Sequence, residues 1–330
     1  MSDAVPTQER TTGTAARVVA LGGGHGLSAS LSALRLLTDH ITAVVTVADD
    51  GGSSGRLREE FGVLPPGDLR MALAALCDDT EWGHTWRDVL QHRFSGWGEL
   101  GGHALGNLLI VALWEQDENP VTGLQLVGQL LGARGAVVPM AAVPLDISAR
   151  VRGLVPGEPD ADVIVHGQAQ VAKTSGEVIE VTLSPQEPPA CPEAVLAVQE
   201  ADWVILGPGS WFTSVMPHLL VPHLRAALET TLARRILTLN VELNTQETSG
   251  FTAVRHLETL SRHAPDMRFD IVLVDPSIVE DASALNAAAD AIGAQLVIAP
   301  VAGRRRPGTH DSLRLAAAYR DIMGGGLGEP

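Results

Sequence analysis

The chain of 330 residues is 45% hydrophobic, long and apolar enough to bury a substantial core in one large α/β domain or two ordinary ones. Its 39 Asp and Glu against 23 Lys and Arg give a formal net charge of -16, a field that repels polyanions and argues against a nucleic-acid partner. The two cysteines, Cys77 and Cys191, have no metal-ligand spacing, and no stretch is apolar for long enough to suggest a signal peptide or membrane insertion.

Residues 1–16 read as a disordered tail of a cytoplasmic protein, and residues 17–330 as a single α/β domain. In that domain VVAL from Val18 leads into Gly22, Gly23, Gly24, His25 and Gly26 and then into an apolar helix, a strand, glycine turn and helix in succession. Such a loop is either a tight βα turn or a phosphate cradle at a helix N-terminus. It is not the dinucleotide fingerprint, because Leu27 stands at the third glycine position, and this argues against a nicotinamide dehydrogenase.

The second strand, Ile41 to Val47, runs into Asp49, Asp50, Gly51, Gly52, Ser53, Ser54, Gly55 and Arg56. Glycine amides, serine hydroxyls and a guanidinium suit an anion, and two carboxylates beside them suit a magnesium ion shared with a phosphate. Asp49 and Asp50 are therefore the metal and catalytic candidates, although either could simply cap the turn. Asp68 of LPPGD is a ligand-binding candidate that is also placed to cap a helix over Leu69 to Cys77. A further helix is expected over Glu81 to Phe94, with Trp82, Trp86, Leu90 and Phe94 as an apolar stripe. His103 and Asn107, in GHALGN, open a buried helix whose polar residues need partners in neighbouring loops or in a ligand.

From about 135 to 190 the pattern becomes short strands and hairpins, a β-rich insertion in a Rossmann-like, mostly parallel sheet flanked by helices. The α/β alternation then resumes. Trp203 to Leu206 leads into Gly207, Pro208, Gly209 and Ser210, with Thr213 and Ser214 offering hydroxyls to a second anionic group. The nucleophile-elbow spacing is missing, which argues against a serine hydrolase. Asn240 stands at the carboxyl end of the strand ILTLNV, where ligands bind in open parallel sheets, and Thr248 or Ser249 is placed to cap the next helix. Arg304, Arg305 and Arg306 follow the last strand as solvated charge or as phosphate contacts.

Taken together, GGGHGL, VADDGGSSGRLR, PPGDLR, GHALGNL, LGPGSWFTS, QETSGFTA and the closing Thr309-His310-Asp311 resemble the YvcK family of gluconeogenesis factors, within the CofD-like superfamily of 2-phospho-L-lactate transferases. The resemblance runs in order over nearly the whole chain. It implies a CofD-like α/β domain, a cytoplasmic location, binding of UDP-sugars such as UDP-N-acetylglucosamine, and a role in carbon-source adaptation and cell-envelope morphogenesis. Two departures stand out: His25 occupies a position where the family usually has Thr, and ELNTQET replaces a Thr-Gln-Pro-Gly-Glu-Thr string. Two functions follow. One is a non-catalytic UDP-sugar binder acting through a homodimer or a regulatory protein partner. The other is a metal-dependent phosphoryl-group transferase, with Asp49 or Asp50 on the metal and Arg56 on developing charge.

Overall fold

The computed structural model describes residues 16–324 apart from Glu118, Arg305 and Pro307. Of the expected N-terminal tail only Ala16 is among them, and Arg305 of the arginine run lies outside them. In chain order the strands are β1 (Val18–Gly22), β2 (Ile41–Val45), β3 (Ala136–Pro139), β4 (Asp146–Arg152), β5 (Asp162–His166), β6 (Glu177–Ser184), β7 (Trp203–Leu206), β8 (Arg234–Thr238), β9 (Ile271–Val274) and β10 (Gln295–Ile298). Seven of them, in the spatial order β10-β9-β8-β7-β1-β2-β3, make one parallel sheet. The other three, in the order β5-β4-β6, make a small antiparallel one.

The apolar runs explain the sheet. β1, β7 and β9 are buried at every position, as strands covered by helices on both faces must be. From β1 the chain builds outward through β2 to β3, then returns to the other flank of β1 with β7 and builds outward again to β10. The direction reverses between β1 and β7. Loops on the two sides diverge there, which opens a crevice at the carboxyl ends of the strands. Leu21 pairs with Leu206 and Gly22 with Val45, so the glycine loops after β1, β2 and β7 leave the sheet close together.

The β-rich stretch expected at 135–190 divides into two parts. β3 is the edge of the parallel sheet, whereas β4, β5 and β6 form the separate one. Ile147, Ala149, Val151, Val181 and Leu183 of the smaller sheet join the same continuous core as Val44 and Val45 of β2.

The first helices are α1 (Gly24–Leu34), α2 (Gly52–Phe61), α3 (Pro66–Leu76), α4 (Glu81–Gln91) and α5 (Leu105–Trp114). Asp68 is a first-turn residue of α3 rather than its cap, because Pro66, with fixed φ and no N–H, takes the first helical position. α4 stops at Gln91, short of Phe94. Trp82 is 59% exposed and donates its Nε1–H to Leu130 O at 2.9 Å, while Leu90 is the residue that packs against Gly106 of α5. Thr252, not Thr248 or Ser249, caps the helix Ala253–His263 by accepting the Arg255 N–H at 3.2 Å. Thr248 instead donates to Leu243 O. Among the described residues no helix is long and apolar enough to cross a membrane.

Candidate functional site

The loops leaving β1, β2 and β7 enclose a cleft of about 570 Å³. One wall is the first turn of α1 and the loop before it, with Gly23, Gly24, His25 and Gly26; the opposite wall is Gly209, Ser210 and Ser214. The two walls touch backbone to backbone. A Cβ on Gly26 would lie 2.3 Å from Pro208 O, so nothing larger than glycine fits between them. Thr46 ties the third loop in, donating from Oγ1 toward Gly22 O at 3.2 Å and Ser214 O at 3.0 Å.

Asn240, at the end of β8, clamps the far wall. Its Oδ1 accepts the Gly209 N–H at 2.9 Å and its Nδ2 donates to Gly209 O at 2.8 Å, so one side-chain amide satisfies both backbone groups of one residue. A buried chain of hydroxyls supports the loop from beneath. Ser30 donates to Gly207 O and meets Tyr319 Oη at 2.9 Å, and Tyr319 Oη meets Thr238 at 3.0 Å. Arg306, Thr309, His310 and Ser312 close the mouth, and His310 is anchored by its Nε2 on Leu239 O at 3.2 Å. Burial holds the His310 ring below the usual histidine range, against the pull of its bond to Leu239 and the charge of Asp275.

The acidic residues of the cleft are arranged differently from the adjacent pair suggested by sequence. Asp49 faces it, with Oδ1 accepting the Gly51 N–H at 2.9 Å. Asp50 turns outward and accepts the Ala169 N–H at 2.9 Å, capping a short helical turn beyond β5. Asp68 takes the place that Asp50 was expected to fill. Its Oδ2 lies 2.6 Å from where a Gly23 Cβ would be, and it faces the Gly24 N–H at the start of α1. Burial first, and then the charge of Asp49, push the Asp68 carboxyl up to about 7, against the pull of the Gly24 N–H and Arg70. Two carboxylates beside a cleft, close enough for the charge of Asp49 to raise the proton affinity of Asp68, are a donor set that fits a divalent cation. Among the described residues no cluster of three or more His, Cys, Asp or Glu suits a metal, so a cation here would complete its shell with water and ligand oxygens.

Magnesium is therefore expected to raise the melting temperature of chelator-treated protein, by the equivalent of about 2.7 kcal/mol at a hundredfold excess over Kd. Asp68→Asn is expected to remove the effect. A thermal-shift titration checks it, and equal shifts in both proteins would take the cation away from this pair.

Several other candidates stand outside the cleft. Gly51, Gly52, Ser53, Ser54 and Arg56 begin α2, and Arg56 donates to Glu99 O at 3.2 Å and Gly101 O at 2.9 Å. His103 and Asn107 are buried beside Ser53. Thr213 is also buried, with its hydroxyl turned toward Glu247 rather than the cleft. Gly207 and Pro208 pack behind the far wall and shape it from there. Conversely, Gln168 and His310 line the cleft without being site candidates by sequence, and Glu242 and Thr245 enter it from the ELNTQET loop after β8. Gln168 had no local signal, since it arrives from the small antiparallel sheet, while His310 was marked only by the closing Thr309-His310-Asp311 string.

The chain matches the family described as 2-phospho-L-lactate transferase CofD over residues 18–305. A Mycobacterium tuberculosis relative, provisionally named a gluconeogenesis factor, is 49% identical over 94% of this chain and 91% of its own. The gluconeogenesis factor of Bacillus subtilis is 35% identical over 80% of each chain. A crystal structure of a UPF0052 family member from Bacillus halodurans superposes with a TM-score of 0.81 at 30% identity, covering 93% of this chain and 99% of that one.

Proposed function

Since the chain belongs to the 2-phospho-L-lactate transferase CofD family, we propose that it is a cytoplasmic gluconeogenesis factor that binds a UDP-sugar of the UDP-N-acetylglucosamine type. Occupancy would bias a homodimer or a regulatory protein partner in carbon-source adaptation and cell-envelope morphogenesis. The observation that carries this reading is the cleft at the reversal point of the parallel sheet, walled by two glycine loops and bounded by backbone amides. Its volume of about 570 Å³ lies in the roughly 300–1,000 Å³ range of small-molecule sites. The N-terminus of α1 supplies a positive end for a diphosphate, Asn240 and Ser210 offer polar atoms to a sugar or base, and a cation on Asp49 and Asp68 would offset the phosphate charge.

The Asp49 and Asp68 pair also favours a second reading, the metal-dependent transfer of a substituted phosphate group. In that case the cation would draw charge from the phosphoryl oxygens, and the two carboxylates would hold it in place. Release of free nucleotide from a nucleotide-linked donor, dependent on magnesium and lost in Asp49→Asn, distinguishes catalysis from binding.

Calorimetry with UDP-N-acetylglucosamine is expected to show saturable binding that Asn240→Ala weakens about tenfold, the equivalent of ~1.4 kcal/mol, by freeing the Gly209 backbone. Absence of heat with every UDP-sugar tried would sink the nucleotide-sugar reading.

A further inference from the structure

Beside the cleft, but outside its lining, four buried polar side chains form one hydrogen-bonded chain. Arg70 Nε donates to Asn107 Oδ1 at 2.8 Å, Asn107 Nδ2 donates to Ser53 Oγ at 3.0 Å, and Ser53 Oγ meets His103 Nδ1 at 2.9 Å. Two of the directions are forced: Arg70 can only donate, which fixes the Asn107 amide so that its Nδ2 donates to Ser53. The His103 ring is held below the usual histidine range by burial, then by Arg56 and Arg93.

The chain satisfies every member except the one at its end. Arg70 is 3% exposed, yet its Nη1 has no acceptor and no salt-bridge carboxylate. A buried cation with an unpaired donor is costly, and the charge of Asp68 acts on Arg70 without forming an ion pair with it. The surroundings repeat the demand. Arg93 lies close enough to lower the proton affinity of Arg70, and Arg56 and Arg93 both act on His103, with Asp68 and Glu60 as the opposing charges. Ser53 belongs to the first turn of α2, a ten-residue helix whose cap Gly51 has no side chain to occupy its free amides. In a protein of net charge -16, this is a local positive basin.

We propose that Arg70, Arg93, Arg56 and the N-terminus of α2 form a second ligand site, for a phosphate group carried by a molecule other than the occupant of the cleft. The site goes beyond the nucleotide-sugar reading and does not depend on it. Arg56 and Arg93 now hold the backbone carbonyls of Glu99, Gly101 and Gly102, neutral acceptors that a phosphate would outcompete through charge-assisted hydrogen bonds. Those carbonyls belong to the segment 95–102, which contains four glycines and whose Trp97 is fully exposed, so little packing opposes its displacement.

Inorganic phosphate is the probe, titrated by calorimetry and thermal shift in phosphate-free buffer against chloride of equal ionic strength, with and without saturating UDP-N-acetylglucosamine. The expected result is a phosphate-specific event that persists in the presence of the sugar nucleotide. Arg93→Gln should weaken it about fivefold and Arg70→Gln should abolish it. Arg93 is exposed, so its variant keeps the test decisive if Arg70→Gln fails to fold. The site is refuted by the absence of any phosphate-specific event, by unchanged affinity in Arg93→Gln, or by full displacement of phosphate by the nucleotide. Failure of UDP-N-acetylglucosamine to bind, with phosphate still bound through Arg93, would reject the cleft assignment and leave this one intact.

Discussion

At pH 8.5, Glu247→Gln is expected to be more stable than the unmodified protein by about 3 kcal/mol, and the difference is expected to vanish below the unfolded carboxyl value of 4.5. Glu247 is 3% exposed, and neither carboxylate oxygen has a well-formed hydrogen bond. The N–H groups of Phe212 and Trp211 and the hydroxyl of Thr213 face it but are not well enough aligned to satisfy it. Burial dominates, and it pushes the acid from 4.5 up to about 7. A carboxyl with a folded pKa above its unfolded value favours the fold when protonated. That contribution is complete below the unfolded value and is lost as pH rises through about 7. The rise of about 2.5 units, at ~1.4 kcal/mol each, gives the expected difference.

Glutamine keeps the shape and cannot ionise, and Thr213 can accept from its amide. His218 and His256, held neutral by burial at about 4, act in the opposite direction: their contribution is complete above 6.5 and fades as pH falls toward about 4. Both proteins share that loss, so the difference between their urea-denaturation curves isolates Glu247. Parallel pH profiles for the two proteins would show that this carboxyl is not held neutral by the fold.

Gly26→Ala is expected to destabilise the protein by about 3 kcal/mol, the upper end of what overpacking commonly costs, and to abolish ligand binding in the cleft. Gly26 lies in the first turn of α1, where propensity alone would make alanine better than glycine by roughly 0.5–1 kcal/mol. Packing reverses the sign. The new methyl would meet Pro208 O at 2.3 Å, Pro208 C at 2.6 Å and Gly209 Cα at 2.7 Å, all backbone, with no side-chain rotation available to relieve them. Gly128, in the helix Pro120–Leu131, is the control: a Cβ there would have nothing nearer than 3.7 Å, so alanine is expected to stabilise by roughly 0.5–1 kcal/mol. Chemical denaturation of both variants measures the contrast. A neutral Gly26→Ala would mean that the two loops are free to separate.

Much of the architecture is legible in the apolar runs, because strands buried on both faces have no polar positions to disguise them. β1, β2, β7 and β9 each announce themselves in this way. The glycine loops are legible for the same reason, standing where such runs stop. What the sequence conceals is direction. Asp49 and Asp50 are indistinguishable as letters, yet consecutive side chains on non-helical backbone diverge, so one meets the cleft and the other meets Ala169. Asp68 is legible as a candidate but not as a partner of Asp49, and a proline at the first helical position puts the cap at Pro65, three residues upstream of the aspartate. Glu242 and Thr245 belong to the polar loop after β8, where a parallel sheet binds ligands, whereas Gln168 reaches the cleft through tertiary folding alone and no local pattern marks it.

The bond from Asp50 to the Ala169 N–H fastens the small antiparallel sheet to the loop after β2, one residue before Gln168 enters the cleft wall in the other direction along the chain. The consequence is a division of labour that selection can exploit. The parallel sheet and its glycine loops carry whatever is common to all ligands of such a cleft, while residues 146–184 form an exchangeable sidewall. Only the exposed positions of that segment are free to vary in this way, because Ile147, Ala149, Val151, Val181 and Leu183 are built into the same core as β2.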